Sequence, residues 1–271
     1  MLTSGFREIK KHVQIYILFI KFSVMAQMEY RSNFIGNLAM ETGYLFVKLS
    51  YMVVVYRAGV TINGLSPDEI LLFSGTFIML TGFYAGLYMI NNFTFRGKIV
   101  NGDLDVLLTK PVSLQFMATL RHADLTLFGV DVIAGLLVVV VAWVRLGLPV
   151  TFATVGGYTL FVGISCVVGY CLFFLPQILS FWMMNTSAIA EITDSFWDIN
   201  SMPMGIYNDG IRFVGVFVLP VFVITNFPPL VALGKMPVPY GVWSLMLPFG
   251  LLFLIRVVWR KGLRRYNSAS S

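Results

Sequence analysis

Three ionisable residues stand inside long apolar stretches, where a charge must be used or neutralised. Glu41 and Lys48 are seven positions apart, so on a helix they share one face about two turns from each other, and Asp131 lies early in another apolar run. A charge in hydrocarbon costs a few kcal/mol or more unless it meets water, a cavity or an opposite charge. The set therefore either lines a translocation path or a charged dimer contact, or Glu41 lies at the membrane interface while Lys48 snorkels or pairs with another helix.

A second pattern lies in a polar loop, which reads Gly102-Asp103-Leu104-Asp105-Val106-Leu107-Leu108-Thr109-Lys110-Pro111-Val112. These residues predict a short, self-contained helix. Asp103 can cap it, and Asp105 falls in the first turn, where the helix dipole favours negative charge. Leu104, Leu107 and Leu108 follow the i, i+3, i+4 spacing and make one apolar face. Lys110 suits the C-terminal end, and Pro111 stops the helix. Such a helix can bury its apolar face in the membrane surface, in the protein's own spans or in a groove of a partner.

Signatures of other chemistry do not occur in the sequence. There is no G-x-x-x-x-G-K-[ST] to cradle nucleotide phosphates, and no H-E-x-x-H, G-x-S-x-G or C-x-x-C. Cys166 and Cys171 are five apart and point to different helix faces, while His12 and His122 each sit beside basic residues without a partner motif. We therefore expect no catalytic residue, no cofactor-binding residue and no metal ligand in this chain.

The elements that must hold these residues follow from composition. The chain has 271 residues, of which 58% are hydrophobic and only 12% charged. Its mean hydropathy is +0.81. A soluble protein of this length carries roughly 25% charged residues. Too little charge is present to coat a soluble globule, and a disordered chain, a collagen and a disulfide scaffold are excluded by the same figures. An all-α membrane protein remains, organised as a single transmembrane domain over residues 1–271. About 20 apolar residues are needed per crossing. Windows at 38–56, 70–90, 125–144, 154–182, 211–227 and 240–259 satisfy this, so we expect about six transmembrane helices.

The excess of Lys and Arg sets the orientation. The head carries Arg7, Lys10, Lys11, Lys21 and Arg31, the second loop Arg96, Lys98, Lys110 and Arg121, and the tail Arg260, Lys261, Arg264 and Arg265. The opposite loops hold Arg57, Arg145 and Lys235. Both termini are thereby expected in the cytoplasm, with the net charge of +6 anchoring loops and no nucleic acid as partner. Residues 1–34 form a cytoplasmic, interfacial segment: Lys10, Gln14 and Lys21 gather on one side of a helix, and Ile15, Leu18, Phe19 and Phe22 cover much of the rest.

Three local signals complete the expectation. Ser66, Pro67, Asp68 and Glu69 write a helix start with capping-box spacing. Pro176 should kink or break the fourth span, and Asn226-Phe227-Pro228-Pro229 should end any helix there. The acidic segment 183–209, with Glu191, Asp194 and Asp198, is either a cytoplasmic amphipathic helix or the lower part of a broken span.

The stretch G-x-L-D-x-L-L-x-K-P, from Gly102 to Pro111 with Phe116 following, resembles the signature of the ABC-2 type permeases, and in particular of the small six-span permeases encoded with a separate ATPase. The basic N-terminal helix, the long loop 92–124 and the late segment from Pro203-Met204-Gly205-Ile206-Tyr207 to Asn226-Phe227-Pro228-Pro229 share the resemblance. Relatives are more apolar across 187–201 than this chain. The resemblance implies that the loop helix is a coupling helix, with Gly102, Asp103, Leu104, Asp105, Leu107, Leu108, Lys110 and Pro111 meeting an ATPase subunit present in two copies. It also implies ATP and Mg bound by that partner, a second permease subunit, identical or related, and an exporter in the cytoplasmic membrane of a bacterium. The residues themselves leave a rival: an ion-driven secondary transporter or channel using Glu41, Lys48 and Asp131.

Overall fold

A computed structural model describes residues 2–59, 61, 64–183 and 187–266. The chain is 84% helical, and no strand occurs among the described residues. The helices are α1 (Leu2–Glu29), α2 (Arg31–Arg57), α3 (Pro67–Val100), α4 (Asp103–Leu108), α5 (Leu114–Leu120), α6 (Leu125–Arg145), α7 (Phe152–Phe181), α8 (Ser187–Asn200), α9 (Asp209–Val218), α10 (Val221–Ala232) and α11 (Val238–Arg265). Four of them, α3, α6, α7 and α11, are long and apolar enough to cross a membrane, and a fifth crossing is counted if the bent pair α9 and α10 forms one span. The helix α2 covers the expected window 38–56 without interruption.

Local chemistry explains where the long helices start. The Ser66 hydroxyl accepts from Glu69 N–H at 3.3 Å, and the Glu69 carboxylate accepts from Ser66 N–H at 3.0 Å, a complete capping box with Pro67 in the first turn. The Asp124 carboxylate accepts from the N–H groups of Thr126 and Leu127 to start α6, and Thr151 pairs with Thr154 to start α7.

The closest approach of two helices is the antiparallel seam of α3 and α6. Glycines set its closeness. A Cβ at Gly82 would lie 2.8 Å from Val132 N, one at Gly86 2.8 Å from Phe128 Cα, and one at Gly135 would strike the Met79 backbone. Without water to drive helices together, such close backbone approach supplies the packing in a membrane. Three apolar clusters fill the bundle. One centres on Tyr84, Phe173, Val221 and Phe222, another at the loop end on Phe95, Leu104, Phe174 and Trp259, and a third on Leu72, Val139, Trp143 and Tyr158.

Pro176 does not break α7, and the two prolines of α10 do not end that helix as expected. The α7 helix runs past the buried Pro176 to Ile178 and then tightens into a 3-10 turn at Leu179–Phe181. Leu172 to Phe174 and Pro176 to Ile178 are buried, so packing holds the helix together across the missing N–H. The α10 helix runs through Pro228 and Pro229 to Ala232. Every residue from Val221 to Pro229 is buried, so packing against α7 overrides the local preference.

The window 211–227 is not one straight helix. Its chain bends by 98° at the break between α9 and α10. The α10 helix runs antiparallel to α7, with the Ser165 hydroxyl donating to Val223 O and Val231 packing on Gly157. Meanwhile α8 leaves the loop end beside Gln177, whose amide donates to the Thr193 hydroxyl at 3.4 Å. It climbs to Trp197, which packs on Phe77, Tyr84 and Phe173 in mid-bundle. The segment 183–209 is thus largely a helix that is amphipathic across the bundle: Ile189, Thr193 and Asn200 are buried, and Glu191, Asp194 and Asp198 are exposed.

Candidate functional site

The loop between α3 and α6 is built as a rigid shelf. Gly102 precedes α4 with φ of 77°, a left-handed conformation that a Cβ would strain. Asp103 is therefore not the cap that its type suggests. It is the first helical residue, with Asp105 beside it in the first turn, and both still meet the positive end of the dipole.

The expected apolar face divides in two. Leu104 is 0% exposed and Leu107 5%, packed with Phe95, Met117, Phe174 and Trp259 of the same chain. Leu108 is exposed, as are Val106, Thr109, Lys110 and Pro111. Burial of a leucine side chain is worth about 1.5–3 kcal/mol, so Leu104 and Leu107 hold α4 onto its own bundle. What remains exposed are Val106, Leu108, Lys110 and Pro111, with Val106 and Leu108 on different flanks of the helix because they are two positions apart. Val106 is the residue that spacing alone overlooked; it lies two positions from Leu104, hence on the other side of the helix.

Other elements brace the shelf. The Lys11 ammonium of α1 donates to Pro111 O at 2.8 Å, and the rings of His12, Tyr16 and Phe19 surround Phe116. The Ser23 hydroxyl accepts from Ala123 N–H, and the Gln27 amide donates to Ala123 O. The face of α1 with Ile15 and Phe19 therefore turns toward the protein, while Val13, Ile17, Leu18, Phe22 and Met25 are exposed. Of the four apolar residues expected to cover much of this helix, Ile15 and Phe19 are half-buried, with Phe19 against Phe116 of the loop, whereas Leu18 and Phe22 stay exposed.

On the inner side, the Asn91 amide donates to His122 O at 2.7 Å and its carbonyl accepts from His122 N–H at 3.0 Å. A π turn at Ala85–Met89 of α3 lets Gly86 O accept from Asp124 N–H at 2.7 Å. These two clamps tie the loop to the same helix that forms the glycine seam. Asn91 and the π turn escaped the sequence reading, because neither belongs to a spaced motif. Burial, followed by Lys98 and Arg121 nearby, holds the His122 imidazole below its ordinary pKa.

Glu41, Lys48 and Asp131 do come together. The Lys48 ammonium lies 3.0 Å from Asp131 Oδ2, 3.3 Å from Asp131 Oδ1 and 3.7 Å from Glu41 Oε1, joining α2 to α6. Asp131 is 1% exposed, and the lysine pairs with it across the two helices. At the end opposite the loop, Arg145 pairs with Asp68 at 2.8 Å and Lys235 with Glu69 at 2.6 Å. Tyr56 donates to Asp68 and accepts from Arg145. Among the described residues no group of three or more His, Cys, Asp or Glu is arranged to hold a metal.

A family model described as ABC-2 family transporter protein matches residues 42–270, which includes the loop, the seam and every helix from α3 onward. No curated protein and no solved structure matches the chain.

Proposed function

From the premise that this chain belongs to the ABC-2 transporter family, we propose that it is the permease subunit of an ATP-binding cassette exporter whose ATP is hydrolysed in a separate subunit. The observation that carries this is the shelf: a short helix fixed to its own bundle by Leu104 and Leu107, with Val106, Leu108, Lys110 and Pro111 left exposed. Those four exposed residues are the contacts for the ATPase. Gly102 gives the turn, Asp103 and Asp105 steady the helix start, and Leu104 and Leu107 pass the push inward. Closure of two ATPase copies on ATP and Mg would move the shelf, and the Asn91 and Gly86 clamps would carry that motion into α3 and the seam.

Six crossings fit this role: α2, α3, α6, α7, α8 with 201–206, and α11. The pair α9 and α10 then re-enters from the side opposite the loop. Both termini and the shelf face the cytoplasm of a bacterium, where the basic residues concentrate. The exposed face of α1 rests on lipid head groups, and a second permease, identical or related, completes the core. The ion-driven alternative would use Glu41, Lys48 and Asp131, which do meet in one cluster. Flux through the chain alone, under an ion gradient and without ATP, would favour it.

Co-purification with the ATPase tests the proposal. The Val106→Asp, Leu108→Asp double variant should keep the wild-type melting temperature and lose at least about tenfold in ATPase binding, about 1.4 kcal/mol or more. Unchanged assembly and unchanged ATPase stimulation in that variant would remove the coupling role.

A further inference from the structure

A cavity of about 160 Å³ opens between α3 and α10, beside the segment 203–205 that leads to α9. Phe73, Met204, Pro229, Leu230 and Leu233 make most of its wall apolar, and Glu69, Arg212 and Asn226 add the polar groups. Both oxygens of Glu69 are already committed, Oε1 to the Lys235 ammonium at 2.6 Å and Oε2 to Ser66 N–H at 3.0 Å. Its charge is thereby balanced before any ligand arrives. Arg212 is not matched in this way. One terminal nitrogen of its guanidinium pairs with Asp209, whose side chain is 93% exposed, and a pair so open to water holds weakly. The Arg212 Nε–H is buried and finds no acceptor among the described residues. Buried donors are normally satisfied, so this one marks a place for an acceptor that the chain does not supply. Asn226 can add to it: its amide carries two N–H groups, and one of them goes to the Thr225 hydroxyl at 3.2 Å. A planar guanidinium suits a carboxylate in particular, because its fork matches the two oxygens. One unmatched cation calls for one negative charge. The space calls for a small apolar body, since roughly 150 Å³ holds one benzene-sized molecule.

We propose that this cavity binds a small organic monocarboxylate, its carboxylate on Arg212 and its apolar body among Phe73, Pro229 and Leu230. The binding is independent of the permease role proposed above, so either can fail alone. The test uses the full chain in lipid nanodiscs and ligand-observed NMR, with empty nanodiscs subtracted. The probes are benzoate and its neutral isostere, benzamide. Benzoate should bind saturably and about tenfold more tightly than benzamide. Arg212→Gln, which changes a side chain paired only at the surface, should keep the wild-type melting temperature and bind the two probes equally. Arg212→Lys keeps the charge without the fork and should retain part of the preference. Asp209→Asn frees the guanidinium from its surface partner and should tighten benzoate about threefold, which an arginine with a purely structural task would not do. Leu230→Trp, which fills the space, should abolish saturable binding. Equal binding of the two probes by the wild type would make the cavity an apolar space for lipid chains and overturn the proposal. So would a preference retained in Arg212→Gln, saturable benzoate binding undiminished in Leu230→Trp, or no saturable binding by the wild type.

Discussion

The two ends of the bundle treat their positive charges differently. At the loop end, lysines donate to backbone carbonyls, Lys11 to Pro111 O at 2.8 Å and Lys98 to Ala118 O at 3.2 Å. At the opposite end, cations meet carboxylates, Arg145 with Asp68 and Lys235 with Glu69. A carbonyl orients an ammonium without cancelling its charge, whereas a carboxylate cancels it. The ammonium groups of the loop end therefore keep more of their charge than the cations of the opposite end. The opposite end is closed by pairs that tie α2, α3 and α6 together and fasten the turn after α10 to α3. One end ties its lysines to backbone carbonyls, the other pairs its cations with carboxylates.

The contrast can be broken most severely at the seam that joins the ends. Gly135→Leu drives a side chain into the Met79 backbone. It should cost about 3 kcal/mol or more and abolish the monodisperse folded peak in size-exclusion chromatography. A wild-type profile would show that the seam does not carry the fold. Next comes the inner face of the shelf. Leu104→Asp puts a carboxylate into a site that is 0% exposed and should cost roughly 2–4 kcal/mol. Leu108→Asp, on the outer edge, should stay within about 0.5 kcal/mol. Thermal melts of both variants check the difference, and equal losses would deny that the helix has an inner and an outer side.

Smaller effects sharpen the same comparison. Lys235→Ala leaves Glu69 without its cation, and should cost about 1 kcal/mol because the lysine is half-exposed. Part of the gain from this pair should also disappear in high salt. The smallest effect is a pH dependence confined to the loop end. The folded pKa of His122 is depressed, so protons bind the unfolded chain more readily. Stability should be unaffected above the ordinary imidazole value of about 6.5 and should fall as pH drops below it toward the lower folded pKa. Melting curves at several pH values on wild type and His122→Gln should separate in that acidic window alone. Parallel curves would mean that the imidazole is solvated in the folded protein.

Much was legible from residue type and spacing. Apolar length and the lack of charge determined that the chain is a helical membrane protein, and Ser66 with Glu69 announced the start of α3. The composition of 102–111 determined that a short helix would stand there, because caps, dipole and proline act within a few residues of themselves. Tertiary structure decided what local chemistry cannot reach. It chose which leucines of that helix face inward, since Phe95, Phe174 and Trp259 come from three different helices. It carried α10 through two prolines, since a fully buried segment gains more from packing than the lost backbone bonds cost. And it brought Asp131 to a lysine 83 positions away, a meeting that depends on how α2 lies against α6.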